Sequence, residues 1–152
     1  MTQSKSLIDC HVHLAALPDG DNGRFISPKL LRSPLFRFLL WKHELSPSPP
    51  RDTNQKYLEH LLVELRTSRY VQKVVLLGMD GFYDQTGLLN RQHTDFLVSN
   101  DYVFKTVCAY PDMFLAGPSI NPQREDAIDE VHRCADAGAV LIKVLPNAQH
   151  FD

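Results

Sequence analysis

No apolar run in this sequence approaches the roughly 20 residues that a membrane-spanning helix requires. Residues 1–6 are polar and are not followed by the apolar core of a signal peptide. The three cysteines have no CxxC spacing, which favours free thiols in a reducing compartment over a disulfide framework. These absences predict a cytoplasmic protein that does not span a membrane.

The sequence also lacks an excess of basic charge. It contains 16 Lys and Arg against 18 Asp and Glu, which gives a formal net charge of −2. Proteins that bind nucleic acid or membrane surfaces usually carry a basic footprint. The 43% hydrophobic and 22% charged residues are ordinary for one globular domain. We therefore expect a small-molecule substrate as the partner, and neither nucleic acid nor a membrane.

The first apolar segment, residues 7–14, ends in two histidines. It is typical of a short buried strand, on which side chains two positions apart share a face. His11 and His13 would then lie side by side, with Asp9 below them. Two converging neutral imidazoles form half of a metal site; the alternative is a solvated pair at a strand-to-loop boundary. The opposite face, expected to pack, carries Ile8, Cys10 and Val12.

Strands and helices alternate along the remaining chain. Further strands are predicted at 73–79, 114–120 and 139–145. Helices are predicted at 34–44, from a cap at Asp52 or Thr53 through residue 66, at 90–110, and from the cap Asn121 to the C-terminal cap Gly138. This alternation specifies an α/β fold with a parallel sheet and right-handed crossovers. Residues 14–52 are predicted as one insertion over the strand ends. Its helix 34–44 is apolar almost all round and must be covered by core, a lid partner or another subunit.

Two further polar residues, one inside and one directly after a predicted apolar strand, are candidates for a functional site. Lys143 lies inside the apolar run 139–145, where an unpaired lysine costs several kcal/mol. It either reaches the strand end or a carboxylate, or points into the same pocket as His11 and His13. Asp80 follows the second strand and is either a turn residue before Gly81 or a substrate-binding residue.

The segment Ile8–Leu14 resembles the first-strand HxH motif of the metal-dependent amidohydrolase superfamily, and Gly138–Asn147 resembles the fourth strand of its amidohydrolase-related branch of hydrolases and nonoxidative decarboxylases. The resemblance implies a TIM-type (β/α) barrel, of which residues 1–152 would be the N-terminal part, about four βα units or half a barrel. The further histidine ligands and the aspartate of that superfamily come from strands five, six and eight, beyond these four units.

The resemblance also implies the chemistry. His11 and His13 would bind a divalent metal, usually zinc, with manganese or iron as alternatives. Lys143 sits where some superfamily members carry a carboxylated, metal-bridging lysine, and we expect Asp80 and Asn147 to bind substrate. The implied reaction is attack of metal-activated water on an amide, ester or lactone carbonyl, or a related nonoxidative decarboxylation. The catalytic base is not identified.

The sequence is also compatible with two other functions. PHP-type phosphoesterases also open with HxH and soon reach Asp-Gly, as at Asp19-Gly20, but Leu14 stands where a threonine is expected. A half barrel without catalysis would instead act as an interaction subunit, and its unpaired outer strands would favour association, for example with a second copy.

Overall fold

The computed structural model describes residues 7–20 and 23–151 of this chain, so the polar segment 1–6 lies outside the described residues. The helices and strands follow in chain order: β1 (Leu7–His13), β2 (Arg24–Ile26), α1 (Pro28–Arg32), α2 (Pro34–Lys42), α3 (Pro50–Thr67), β3 (Val71–Leu77), β4 (Phe96–Val98), α4 (Asn100–Ala109), β5 (Phe114–Gly117), α5 (Ala127–Asp136) and α6 (Pro146–Gln149).

A parallel three-stranded sheet in the order β1-β3-β5 forms the centre of the fold. The middle strand is the apolar run around Val75 and Leu76, both of which are fully buried. Helix α3 connects β1 to β3 and packs Leu62 and Leu65 into the core. The predicted α/β class is confirmed for these three strands, with crossover helices between parallel neighbours.

The expected fourth strand, 139–145, is not a continuous strand. It runs parallel to β5 through two isolated bridges, Ala116 to Ala139 and Ser119 to Lys143. Between them lies Pro118, which has no backbone N–H to donate, although its carbonyl accepts from the Lys143 N–H at 2.8 Å. The same proline explains why β5 ends at Gly117 instead of residue 120. A half barrel of four complete strands is therefore not confirmed.

Two helix predictions were wrong in their boundaries. The expected helix 90–110 is divided into β4, which pairs antiparallel with β2, and α4, whose cap Ser99 accepts from the Tyr102 N–H. The apolar triplet 96–98 is compatible with both a helix and a strand, and the pairing with β2 makes it a strand. The expected helix from Asn121 begins only at Ala127, because the Asn121 side chain is buried and donates to the carbonyls of Gly81 and Gln149.

The segment 14–52 contains β2, α1 and α2, and its last residues already belong to α3. Its inner apolar side chains line part of a small cavity of about 60 Å³. The outer side chains of α2 are not covered by the described chain: Leu35 is 66% exposed and Trp41 is 74% exposed. None of the described helices is long and apolar enough to cross a membrane.

Strand β1 is an edge of the described sheet, and this corrects one expectation. Ile8 and Cys10 were expected to pack, but both are exposed, and only Val12 of that face packs against the core. The physical reason is position: an edge strand has a neighbour on one side only. The alternation along β1 therefore predicted the directions of its side chains correctly, but it did not predict that Ile8 and Cys10 are exposed.

Candidate metal centre

The two histidines of β1 converge as the strand alternation predicts. Their Nε2 atoms lie 3.0 Å apart, and the ring centroids are 5.0 Å apart at an interplanar angle of 53°. Two nitrogens bound to one tetrahedral zinc at about 2.0–2.1 Å are roughly 3.3 Å apart. The spacing in this structure therefore fits two ligands of a single metal ion.

The backbone of β1 and one helix residue orient the pair. The pairing with β3 shifts register between Asp9 and Val12, so three steps on β1 oppose two on β3, as at a bulge. The Asp9 carboxylate accepts from the His11 N–H at 2.9 Å. From α3, the Tyr57 hydroxyl donates to the His13 carbonyl at 2.6 Å. In the sequence Tyr57 belongs only to an apolar helical stripe, so no local signal identifies this role.

Lys143 points into the same site, which was one of its two predicted orientations. It is 7% exposed, and its Nζ lies 3.1 Å from His13 Nδ1 and 3.1 Å from the Gly78 carbonyl. Burial lowers the pKa of Lys143 to about 8. Burial, followed by the charges of Lys143 and His11, lowers the pKa of His13. This shift favours the neutral form of His13, which is the form that ligates metals.

A buried amide cluster holds the segment that carries Lys143. The Gln149 side chain, which is fully buried, accepts from the Leu145 N–H at 2.6 Å and donates to Ser119 Oγ at 3.3 Å. Asn121 donates to the Gln149 carbonyl at 3.1 Å. The stretch after residue 145 forms α6 and places Gln149 close to the end of the Lys143 segment. These contacts, and not the strand ladder alone, position Lys143.

The two expected substrate-binding residues have other surroundings. Asp80 is buried; its Oδ1 accepts from the Gly81 N–H and the Tyr83 hydroxyl, and its Oδ2 accepts from the Asn121 N–H. It thus joins the loops after β3 and β5, and it lines a cavity of about 380 Å³. Asn147 is exposed on α6. No contact recorded for the described residues joins either side chain to the histidines, and their roles in substrate binding stay predictions.

A second buried polar cluster ties α4 to α5. Glu130 Oε1 accepts from Asn100 Nδ2 at 2.7 Å, and Asn100 Oδ1 accepts from the Ser119 N–H at 2.9 Å. Arg133 donates from Nε to Glu130 Oε2 at 2.7 Å, and the Cys134 thiol lies 3.6 Å from Glu130 Oε1. The sequence showed Cys134 only as part of the buried stripe of α5. Burial, with the Glu130 charge, raises the pKa of this thiol to about 11.

This environment predicts selective thiol chemistry. At about pH 8 iodoacetamide should modify the exposed Cys10 and Cys108, and should modify Cys134 at least about 100-fold more slowly, because thiolate is the reactive form and Cys134 is also buried. Peptide mass spectrometry over time measures the three rates, and the chain unfolded in urea, where all three should react alike, is the control. Equal rates for Cys134 and Cys108 in the folded chain would contradict the expected protection.

The described residues do not contain a complete metal site. No group of three or more His, Cys, Asp or Glu side chains among them converges as ligands. A catalytic zinc site usually has three protein ligands and one water. The described residues thus bring together two imidazoles and an adjacent amine.

Comparison with known proteins identifies the family of this chain. The family model described as Amidohydrolase matches residues 8–152, which include β1 from Ile8 onward, the histidine pair and the segment that carries Lys143. A search of curated proteins found no match, and neither did a search of solved structures. The match extends over nearly the entire sequence, and the chain therefore belongs to the amidohydrolase family, whose members are hydrolases and related decarboxylases.

Proposed function

We propose that this chain provides the N-terminal part of a metal-dependent hydrolase, in which His11 and His13 bind one divalent ion. Zinc suits two imidazole ligands best, with manganese or iron as alternatives. The observation that carries the proposal is the 3.0 Å approach of the two Nε2 atoms at the carboxyl end of β1, in a chain of the amidohydrolase family. Sites of α/β proteins gather at this end of the strands.

When bound, the metal would supply a water activated near neutral pH and a Lewis acid for the substrate carbonyl. The residues of this chain would hold the ion and orient its two histidine ligands. His11 and His13 present Nε2 to the ion, and Lys143 Nζ lies 3.1 Å from the other ring nitrogen of His13, Nδ1. Tyr57 and Asp9 restrain the backbone of the pair. Partners of this kind outside the ligand set typically change metal affinity by about 10–100-fold.

We propose that the four parallel segments are the first half of a TIM-type barrel, with 14–52 as an insertion after β1. Both edges of the described sheet support this. On the β1 edge Leu7 is 51% exposed and Ile8 is 49% exposed, while Val140 beyond β5 is 51% exposed. Apolar side chains at two open sheet edges are what further strands and helices of a closed barrel would cover. The substrate is then a small molecule with an amide, ester or lactone carbonyl, or a carboxylic acid that loses CO₂, and Asp80 and Asn147 are candidates to bind it.

The histidine pair can be tested by metal binding. The metal-free chain should bind one zinc ion, and His11→Ala or His13→Ala should weaken binding at least about tenfold, since each removes one of two ligands. Isothermal titration with elemental analysis measures affinity and stoichiometry. His132→Ala is the matched control, because His132 is exposed on α5, and it should bind zinc like the unmodified chain.

Two results would count against this function. Zinc binding that survives both substitutions would place the metal elsewhere. A chain that binds neither zinc nor manganese nor iron, and that elutes as a dimer in gel filtration, would support the non-catalytic interaction subunit instead.

A further inference from the structure

The outer surface of α1 and α2 combines exposed apolar and basic side chains. Phe38 is 52% exposed and Trp41 is 74% exposed, and their ring centroids lie 5.8 Å apart. With Leu35 they form a stripe at three-residue spacing on the outward face of α2, while Phe36 and Leu40 face inward to the small cavity. We call the outward side the cationic surface; it consists of Lys29, Leu31, Arg32, Leu35, Arg37, Phe38, Leu39, Trp41 and Lys42.

The charged residues of the cationic surface are all basic. Four basic residues lie between positions 28 and 43, and no acidic residue does. All four are exposed, and none forms an ion pair with a carboxylate of the described residues. Because the whole chain has a net charge of −2, the remaining sequence is distinctly acidic. The net charge, from which no membrane partner was expected, conceals this local basic excess.

We propose that the cationic surface docks on an anionic lipid bilayer, with Leu35, Phe38 and Trp41 inserted into the headgroup region. The exposed side chains are of the kinds that interfacial helices use: large apolar and aromatic residues that enter the boundary, and Lys or Arg that meet anionic headgroups. Tryptophan in particular is enriched at the membrane–water interface. The protein lies on the bilayer and does not cross it, which agrees with the lack of a spanning helix among the described residues.

Charge complementarity favours a bilayer over a second copy of the chain. A twofold dimer through this surface would bring four basic residues of one chain against the same four of the other, with no acidic residue of the surface to neutralise them. An anionic bilayer offers negative charge to every one of them. It also orients the molecule, because the acidic remainder of the chain is repelled from the same membrane.

The test uses the single tryptophan of the sequence, which is Trp41. Its fluorescence reports on the cationic surface without interference from another tryptophan. Vesicles of phosphatidylcholine with about 30% phosphatidylserine should shift the emission to shorter wavelengths, and pure phosphatidylcholine vesicles should not. Co-sedimentation with the vesicles gives the partition coefficient, which should fall as salt is added.

Variants separate the charge from the apolar stripe. Arg37→Gln with Lys42→Gln should lower the partition coefficient about 30-fold, and Phe38→Ser about tenfold. Ile128→Ser is the matched control, since Ile128 is 69% exposed on α5 beside acidic residues, and it should bind like the unmodified chain. All positions are exposed, and circular dichroism verifies folding.

Three outcomes would overturn the proposal. They are the absence of any shift with anionic vesicles, an equal shift with pure phosphatidylcholine, and a shift without vesicles that grows with protein concentration together with a dimer in gel filtration. The last would show that a second copy covers the surface.

Discussion

Supplied with zinc, the 152-residue chain is expected to hydrolyse esters and lactones at least 10²–10⁴-fold below ordinary turnover of ~1–10³ s⁻¹. The reason is the number of ligands. His11 and His13 contribute two imidazoles, and the described residues include no third His, Cys, Asp or Glu that converges on them. The Asp9 carboxylate next to the pair accepts from the His11 backbone N–H, and loss of one positioned acid or base alone costs about 10²–10⁴ in rate.

Exposure of the site to solvent should lower the rate of hydrolysis further. Both histidines are exposed, so water surrounds the pair and weakens the electrostatic stabilisation that a closed site provides. The assay compares the unmodified chain with His11→Ala, His13→Ala and the control His132→Ala, each with zinc or manganese. Any residual hydrolysis should disappear in the first two variants and persist in the third. Turnover at ordinary enzyme rates by the unmodified chain would mean that its own residues complete the site.

Lys143→Met is expected to stabilise the metal-free fold by about 1–2 kcal/mol near neutral pH. The folded chain holds the Lys143 ammonium in a nearly buried position, where desolvation lowers its pKa from 10.5 to about 8. That shift corresponds to a penalty of about 3 kcal/mol when the amine is charged. Methionine has a similar length without the charge, but it leaves the Gly78 carbonyl without its Lys143 donor, which offsets part of the gain.

The dependence on pH distinguishes this cause from better packing. Below about pH 8 the folded and unfolded chains both carry the Lys143 proton, and the penalty is present in full. Between about pH 8 and 10.5 the unfolded chain keeps the proton while the folded chain releases it, so stability rises with pH in this window. The gain in stability of Lys143→Met over the unmodified chain should therefore shrink as pH rises through the window. At the upper end the variant should become the less stable of the two, because it lacks the hydrogen bond from Lys143 to the Gly78 carbonyl.

Urea unfolding with a chelator present, at about pH 7 and about pH 10.5, measures both effects. Lys105→Met is the matched control, because Lys105 is exposed on α4 and its loss should change stability by no more than about 0.5 kcal/mol at either pH. A Lys143→Met variant less stable than the unmodified chain at neutral pH would show that the hydrogen bonds of the amine outweigh its desolvation.

Several elements were predictable because their signals are local. Strands β1 and β3 follow from short apolar runs, and α3 follows from leucines at helical spacing. The convergence of His11 and His13 follows from the two-residue period of a strand, which requires no knowledge of distant residues. The resemblance on these residues and on Gly138–Asn147 pointed to the family that the match over 8–152 then showed.

The errors lie where contacts between distant segments decide. Residues 96–98 pair with β2 and leave the helical pattern, and Pro118 breaks the ladder that the apolar run 139–145 would otherwise form. Asn121 has the side chain of a helix cap, yet it is buried and donates to the carbonyls of Gly81 and Gln149, which lie far apart in the chain. Propensity is a weak prior that such tertiary contacts override.

The sequence by itself determined the α/β class, the histidine pair on one strand face and the oddity of a lysine inside an apolar run. Only the tertiary structure decided that Lys143 meets His13, that Tyr57 restrains the pair and that Gln149 holds the Lys143 segment. The physical reason is the range of the interactions. Side-chain direction along one strand depends on local backbone geometry, whereas contacts between residues 13, 57 and 143 depend on how strands and helices pack, which no single stretch of sequence specifies.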